Sequence, residues 1–324
     1  MTRPKVYVTR PIPQEALELL KERCDVEMNN DLSPLPKQEL IEKLKGRDAI
    51  LVSRTSIDEE ICLAIKDTCK ILANYGVGYD NIDYKSATKH GIFVTYNPDE
   101  VTDATADQAW ALILSVGRRI VESDAFVRSG SKDWGPTKLL GTDISGKTIG
   151  IIGGGRVGTA VGKRAKGFDM TIQYTDIQSS PRFEELTGGK YVDKETLLRS
   201  SDFISLHLPY VASTHHYISE KELELMKESA ILINTSRGKV IDEKSLVKAL
   251  QNHTIKGAGL DVFENEPNVD PGLLRLENVV LTPHTGTSTL ETRIKMGEGC
   301  ARSIFSVLDR QIPKNCVNPD IGFR

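Results

Sequence analysis

Along the chain, short runs of β-branched and aromatic residues alternate with stretches whose apolar positions recur every three or four residues. KVYVTR (5–10), AILVSR (49–54), KILANYG (70–76) and GIFVTYN (91–97) read as strands. Between them, 14–22 and 37–45 read as helices, the first burying Ala16, Leu17, Leu19 and Leu20, the second Leu40, Ile41 and Leu44. After Pro98 a helix is predicted from Thr102, whose hydroxyl can cap free N–H groups ahead of the apolar run AWALILSVGRRI. A polar, glycine-bearing arm, 129–146, leads into a second series: TIGII (148–152), MTIQYTD (170–176), DFISLHLP (202–209), AILINTS (230–236), IKGAGLDVF (255–263) and NVVLTPH (278–284). A final helical segment covers 290–308. Strands this apolar, alternating with helices, belong to parallel sheets covered on both faces, so the fold class is α/β. At roughly 150 residues per domain, the 324 residues make two domains.

Composition narrows the function classes. Forty-two basic against 45 acidic side chains leave a formal charge of -3, so no nucleic-acid partner is expected. Cys24, Cys62, Cys69, Cys300 and Cys316 are odd in number and lack C-x-x-C spacing, which indicates neither a disulfide framework nor a metal site. A reducing, cytoplasmic location is expected. The N-terminal MTRPKVYVTRPIP has no signal-peptide apolar core, and no run of 18 uncharged apolar residues occurs, so no membrane association is expected.

Candidate chemistry begins at KTIGIIGGGRVG (147–158). Glycine-rich turns are common, but here Gly153, Gly155 and Gly158 follow an apolar strand, open a helix, and precede a second strand ending in Asp176, 18 residues beyond Gly158. Gly153 suits the tight turn, Gly155 leaves room for a pyrophosphate, and Gly158 lets helix and strand pack closely. The helix N-terminus offers N–H donors to phosphate oxygens. Asp176 would accept hydrogen bonds from the adenosine ribose and repel a 2′-phosphate, so NAD is the expected cofactor.

Ligands of open α/β sheets bind outside the carboxyl ends of the strands, so residues ending several strands converge there. Of six histidines, His90, His215, His216 and His253 sit in polar or helix-end contexts that suit surface roles, whereas His207 and His284 lie at strand ends. Arg237 follows ILINTS, Glu266 closes GLDVFENE a short turn past its strand, and His284 closes VVLTPH. A guanidinium forks onto a carboxylate, a histidine titrates near neutrality, and an adjacent glutamate favours its protonated form. Together these three suit reduction of a 2-oxo acid.

YGVGYDNID (75–83), GGGRVG (153–158), LHLPYVAST (206–214), INTSRGKVIDE (233–243), GLDVFENEP (259–267) and TPHTG (282–286) give the chain, nearly end to end, a resemblance to the D-isomer-specific 2-hydroxyacid dehydrogenases, and within them to glyoxylate/hydroxypyruvate reductases. The resemblance implies two doubly wound parallel-sheet domains, a Rossmann cofactor domain (101–287) inserted into a flavodoxin-like substrate domain (1–100 and 288–324). It implies that Arg237, Glu266 and His284 are catalytic. Val77 and Gly78 would bind the substrate carboxylate through backbone N–H groups, with Ser53 and Arg54 nearby and with Arg237 and His284 completing the substrate set. Cofactor contacts are implied for Thr105, Arg156, Val157, His207, Pro209, Thr214, Thr235, Asp261 and Gly286 beside the glycine loop and Asp176. A homodimer held partly by an arm at 118–146 is also implied.

Two departures from relatives stand out. Ala106-Asp107-Gln108 replaces a common A-E sequence on the hinge helix, which raises a question of local packing. Val77 stands where phosphite-oxidising relatives carry lysine, and the chain stops at 324 with no appended regulatory domain expected. The expected reaction is NAD-dependent reduction of a small 2-oxo acid, glyoxylate or hydroxypyruvate, because the LVSRTS strand end offers one cation and no phosphate-binding cluster. D-3-phosphoglycerate dehydrogenase is the enzymatic alternative, with Arg54 in its favour. An NAD-sensing corepressor is the alternative of another class, disfavoured because such proteins carry long disordered tails.

Overall fold

The computed structural model describes residues 3–323, which divide into two compact units, one built from residues up to Val101 and from Ser288 onward, the other from Thr102–Thr287.

In the first unit, strands β1 (Lys5–Val8), β2 (Asp25–Met28), β3 (Ala49–Val52), β4 (Ile71–Asn74) and β5 (Phe93–Thr95) form a parallel sheet of order β2-β1-β3-β4-β5. That is a flavodoxin-like order. Alternate side chains serve opposite faces. Val6, Val8, Ala49, Leu51, Ile71 and Ala73 pack on one side, while Tyr7, Ile50, Val52, Leu72 and Val94 pack on the other. The helix Leu290–Leu308 returns to this unit, adding Met296, Cys300, Ala301, Ile304 and Val307 to the face that also holds Leu17 and Leu20. Polar side chains fix its position, because the Asn97 amide donates to Asn74 O at 3.1 Å and Met296 O at 3.2 Å, and the Tyr75 hydroxyl donates to Arg293 O.

In the second unit, β6 (Thr148–Ile152), β7 (Thr171–Thr175), β8 (Lys190–Tyr191), β9 (Phe203–Leu206), β10 (Ile231–Asn234), β11 (Gly257–Leu260) and β12 (Val279–Leu281) form a seven-stranded parallel sheet of order β12-β11-β10-β9-β6-β7-β8. Counted from β6, this is the Rossmann order extended by one strand. The order reverses between β6 and β9, where a crevice at the strand carboxyl ends is available to a ligand. The helix Thr102–Gly117 covers one face, with Trp110 donating from its indole to Val161 O at 3.1 Å and stacking on Phe168.

Two features differ from the pattern-based expectation. The edge strands β2 (DVEM) and β8 (KY) are too short and too polar to stand out as apolar runs; β2 is at most half-buried and β8 is exposed. The helix expected to run through AWALILSVGRRI stops at Gly117, whose carbonyl accepts from Thr142 N at 2.7 Å, and Arg119 takes a left-handed conformation (φ 51°) before a new helix, Ile120–Arg128. A returning strand of polypeptide thus ends the helix where the apolar pattern continues. No helix among the described residues is long and apolar enough to cross a membrane.

Ile304 is fully buried, whereas Leu290 in the same helix is 63% exposed. Ile304→Ala should lower the unfolding free energy by about 2–5 kcal/mol, and Leu290→Ala by less than about 0.5 kcal/mol, in urea titrations of the whole chain.

Candidate active site

The three glycines after β6 answer three different constraints. Gly153 has φ 99°, and a Cβ there would stand 2.6 Å from His207 O, so both conformation and space demand glycine. At Gly158 a Cβ would stand 2.0 Å from Gly153 O, because the helix Arg156–Ala165 lies directly on the turn. Gly155, at the N-cap of that helix, faces open space. Arg156 and Val157 begin the helix, the former exposed and the latter half-buried. Asp176 stands one residue past β7 and closes on the loop, its Oδ2 accepting from Gly154 N at 2.8 Å and its Oδ1 from Ile177 N at 2.7 Å.

Two further strand ends, those of β9 and β10, supply polar groups. Past β9, His207 is half-buried with Nε2 2.9 Å from Ser205 Oγ, and loss of solvation pushes its imidazole down to about 3. It is therefore neutral near pH 7 and no proton donor there. Pro209 is exposed, and its carbonyl accepts from Thr214 Oγ1 at 2.7 Å, so the Thr214 hydroxyl shapes the loop that presents the proline. Past β10, Thr235 is buried, and its Oγ1 has no hydrogen-bond partner among the described residues. An open turn at a helix N-terminus, a carboxylate closing the second strand and a buried hydroxyl awaiting a partner are features that fit a bound dinucleotide.

Arg237 follows in extended conformation, with Nη1 donating to Ser236 O at 2.8 Å while the buried Asn234 amide holds Arg237 O at 2.9 Å. The next residue explains how this loop meets its neighbour. A Cβ on Gly238 would stand 1.9 Å from Phe263 C and 2.0 Å from Phe263 O, so the 237–238 backbone lies against 263–264. The latter segment carries Glu266, whose Oε1 accepts from Phe263 N at 3.1 Å and whose Oε2 lies 2.7 Å from His284 Nδ1. Both side chains of this pair remain about a third exposed, so the imidazole is reachable from solvent.

His284 has a left-handed backbone (φ 56°) that its own loop must hold. Asp261 holds it. Buried at 1% exposure, its Oδ1 accepts from Thr282 Oγ1 (2.6 Å), Thr285 N (2.7 Å) and Thr285 Oγ1 (3.1 Å), and its Oδ2 from Gly286 N (2.8 Å). Thr105, on the Thr102–Gly117 helix, lies close to Gly286. The A-D-Q departure is accounted for in the same region: Asp107 pairs with Arg164 at 2.8 Å, and Gln108 donates to Thr282 Oγ1 at 3.0 Å, extending the Asp261 network.

In the first unit the Asn74 amide donates to Gly76 O (3.2 Å) and Gly78 O (2.9 Å), which fixes the peptide planes around Val77 and Gly78. Ser53 is buried, and Arg54 takes φ 46°. A second cation, overlooked in the sequence, stands beside it: Arg10 donates to Arg54 O at 3.3 Å and to Leu32 O at 2.6 Å, and burial together with the Arg54 charge holds its guanidinium below the usual range. The strand end thus gathers two cations, from β1 and β3, where LVSRTS alone shows one. His216, read from the sequence as a surface residue, is instead half-buried against Glu264. No local pattern marks either residue, because each partner is distant in sequence.

Residues 110–286 match the family model described as D-isomer specific 2-hydroxyacid dehydrogenase, NAD binding domain. A glyoxylate reductase of Thermococcus litoralis is 49% identical to the chain, over 98% of each. Among solved structures, the TT0316 protein of Thermus thermophilus superposes with a TM-score of 0.91 at 39% identity, covering 97% of this chain and 99% of its own. An acyclic imino acid reductase solved with NADPH and D-Arg superposes at 0.86 and 33% identity, over 97% and 99% of the two chains. The match to the family model, the near-full-length identity and the two parallel sheets lead to one conclusion: the chain belongs to the D-isomer-specific 2-hydroxyacid dehydrogenases.

Proposed function

We propose that the protein reduces small 2-oxo acids, glyoxylate and hydroxypyruvate first among them, with NADH. The observation that carries this reading is the 2.7 Å contact of His284 Nδ1 with Glu266 Oε2, made on loops that the Gly238 contact brings against Arg237. The nicotinamide, when bound, supplies the hydride that reaches C2 of the acid. Gly153, Gly155, Arg156, Val157 and Gly158 receive the pyrophosphate, Asp176 the adenosine ribose, and Thr105, His207, Pro209, Thr214, Thr235, Asp261 and Gly286 border the remainder. Arg237 forks onto the acid's carboxylate, with the Val77 and Gly78 amides, Ser53 and Arg54 as further ligands carried over from the resemblance.

As negative charge grows on the carbonyl oxygen, His284 donates a proton to it from Nε2. Glu266 holds Nδ1–H, which fixes the tautomer and orients the ring. In the reverse direction His284 is the base. Arg10 beside Arg54 favours a second substrate, D-3-phosphoglycerate, whose phosphate would meet both cations. The five cysteines, none in a disulfide, suit action in the reducing cytoplasm.

A homodimer is proposed from the arm. Helix Ile120–Arg128 buries none of its residues, and Ile120, Val121, Val127, Trp134 and Leu140 are each more than half exposed. A second copy of the chain is the proposed cover for this apolar surface.

Following NADH absorbance with a panel of 2-oxo acids tests the assignment: glyoxylate or hydroxypyruvate should give the highest kcat/KM, and KM for NADH should lie below that for NADPH. Turnover of none of the acids would refute the reading, and a higher kcat/KM for 3-phosphohydroxypyruvate would move the substrate to the phosphorylated class. Glu266→Gln leaves the His284 ring orientation and tautomer less firmly held, so reductive kcat should fall by about 10²-fold while KM for NADH is unchanged; an unchanged kcat would count against the pair. The double variant Val121→Asp/Val127→Asp should sediment as a monomer where the native chain sediments as a dimer.

A further inference from the structure

His216 bridges the two loops that carry the proposed catalytic groups. Its backbone N–H donates to Lys239 O at 2.9 Å, two residues beyond Arg237. Its ring Nε2 lies 2.8 Å from Glu264 Oε1, two residues before Glu266. The neighbouring backbone agrees with this bridge, since Ile218 pairs with Ile241 in a parallel bridge and Gly238 lies against the Phe263–Glu264 peptide.

Glu264 is fixed from its other side as well. Its N–H donates to Glu243 Oε2 at 3.0 Å, and its Oε2 accepts from Glu243 N at 3.4 Å, a reciprocal exchange at the start of the helix Glu243–Gln251. Glu243 Oε1 accepts in turn from Asp270 N at 3.2 Å. Glu243 is 7% exposed, and burial raises its carboxyl above the usual range. His215 stacks on the His216 ring at 3.9 Å between centroids, which fixes the ring plane. The side chain of Glu264 is 21% exposed and that of His216 33%, so the pair lies at the margin of the unit, between the two loops, and acts on their spacing.

We infer that His216 is a positioning residue for the reaction: through Glu264 it sets the place of Glu266, and through Lys239 that of Arg237. This rests on the roles proposed above for Arg237 and Glu266. A loop displaced by about 1 Å can cost up to about 100-fold in rate without any loss of fold, which makes the effect measurable.

The test compares the native chain with His216→Ala and His216→Gln, the latter keeping a donor toward Glu264 at neutral charge. In His216→Ala, kcat/KM for glyoxylate should fall about 10-fold while the dissociation constant of NADH, from its fluorescence, stays within about 2-fold. His216→Gln should recover to within about 3-fold of the native chain. Hydrogen–deuterium exchange without substrate supplies a readout independent of turnover: peptides covering 236–241 and 262–267 should exchange faster in His216→Ala, and those covering 148–152 should not. Native kcat/KM in His216→Ala, equal losses in both variants, or equal acceleration at 148–152 would each overturn the inference. If the native chain reduces no 2-oxo acid, the proposed function fails, and the exchange pattern alone then decides whether His216 couples the two loops.

Discussion

The buried carboxylate of Asp261 is the constraint on which the second unit's polar strand ends depend. Taking a carboxylate out of water is costly unless donors replace the lost solvation. Here the donors all come from one short segment, the backbone of Thr285 and Gly286 and the hydroxyls of Thr282 and Thr285. The charge is accommodated only if that segment turns back over β11, and the turn forces His284 into its left-handed conformation. The side chain that results reaches Glu266, whose other oxygen is fixed by the Phe263 amide. Desolvation of one carboxylate thus sets the direction of an imidazole 23 residues further along the chain.

Glycines perform the complementary task of letting backbones touch. Gly153 passes beneath His207 O, Gly158 lies on Gly153 O, and Gly238 lies on Phe263. A methyl group at any of the three would separate loops that have to converge. The charged and hydrogen-bonding groups, the His216–Glu264 pair among them, then adjust and hold a spacing that these backbone contacts permit.

Much of the fold was legible in the sequence because the central strands are covered on both faces. β3, β4, β9 and β10 are buried at every position, and such strands stand out as apolar runs. β2 and β8 were missed because an edge strand with polar neighbours has no such run. The glycine loop was legible for the same local reason, as a turn directly between strand and helix. Arg237, Glu266 and His284 could be singled out because each lies just past a strand, and the rule of strand carboxyl ends groups them without coordinates. Arg10 escaped notice and His216 read as a surface residue: one meets Arg54, 44 residues away, and the other Glu264, 48 residues away, and nothing in their own neighbourhoods hints at a partner.

The return of the Leu290–Leu308 helix to the first unit has a consequence for biosynthesis. Residues 102–287 form one uninterrupted stretch with its own two core faces, so they can close while the ribosome is still translating. The earlier-made sheet lacks Met296, Cys300, Ile304 and Val307 until residues beyond 290 have been made, leaving an oily face bare while nearly two hundred further residues emerge. The sheet made before residues 102–287 is therefore finished after them, and the nascent chain's appeal to chaperones should be concentrated there.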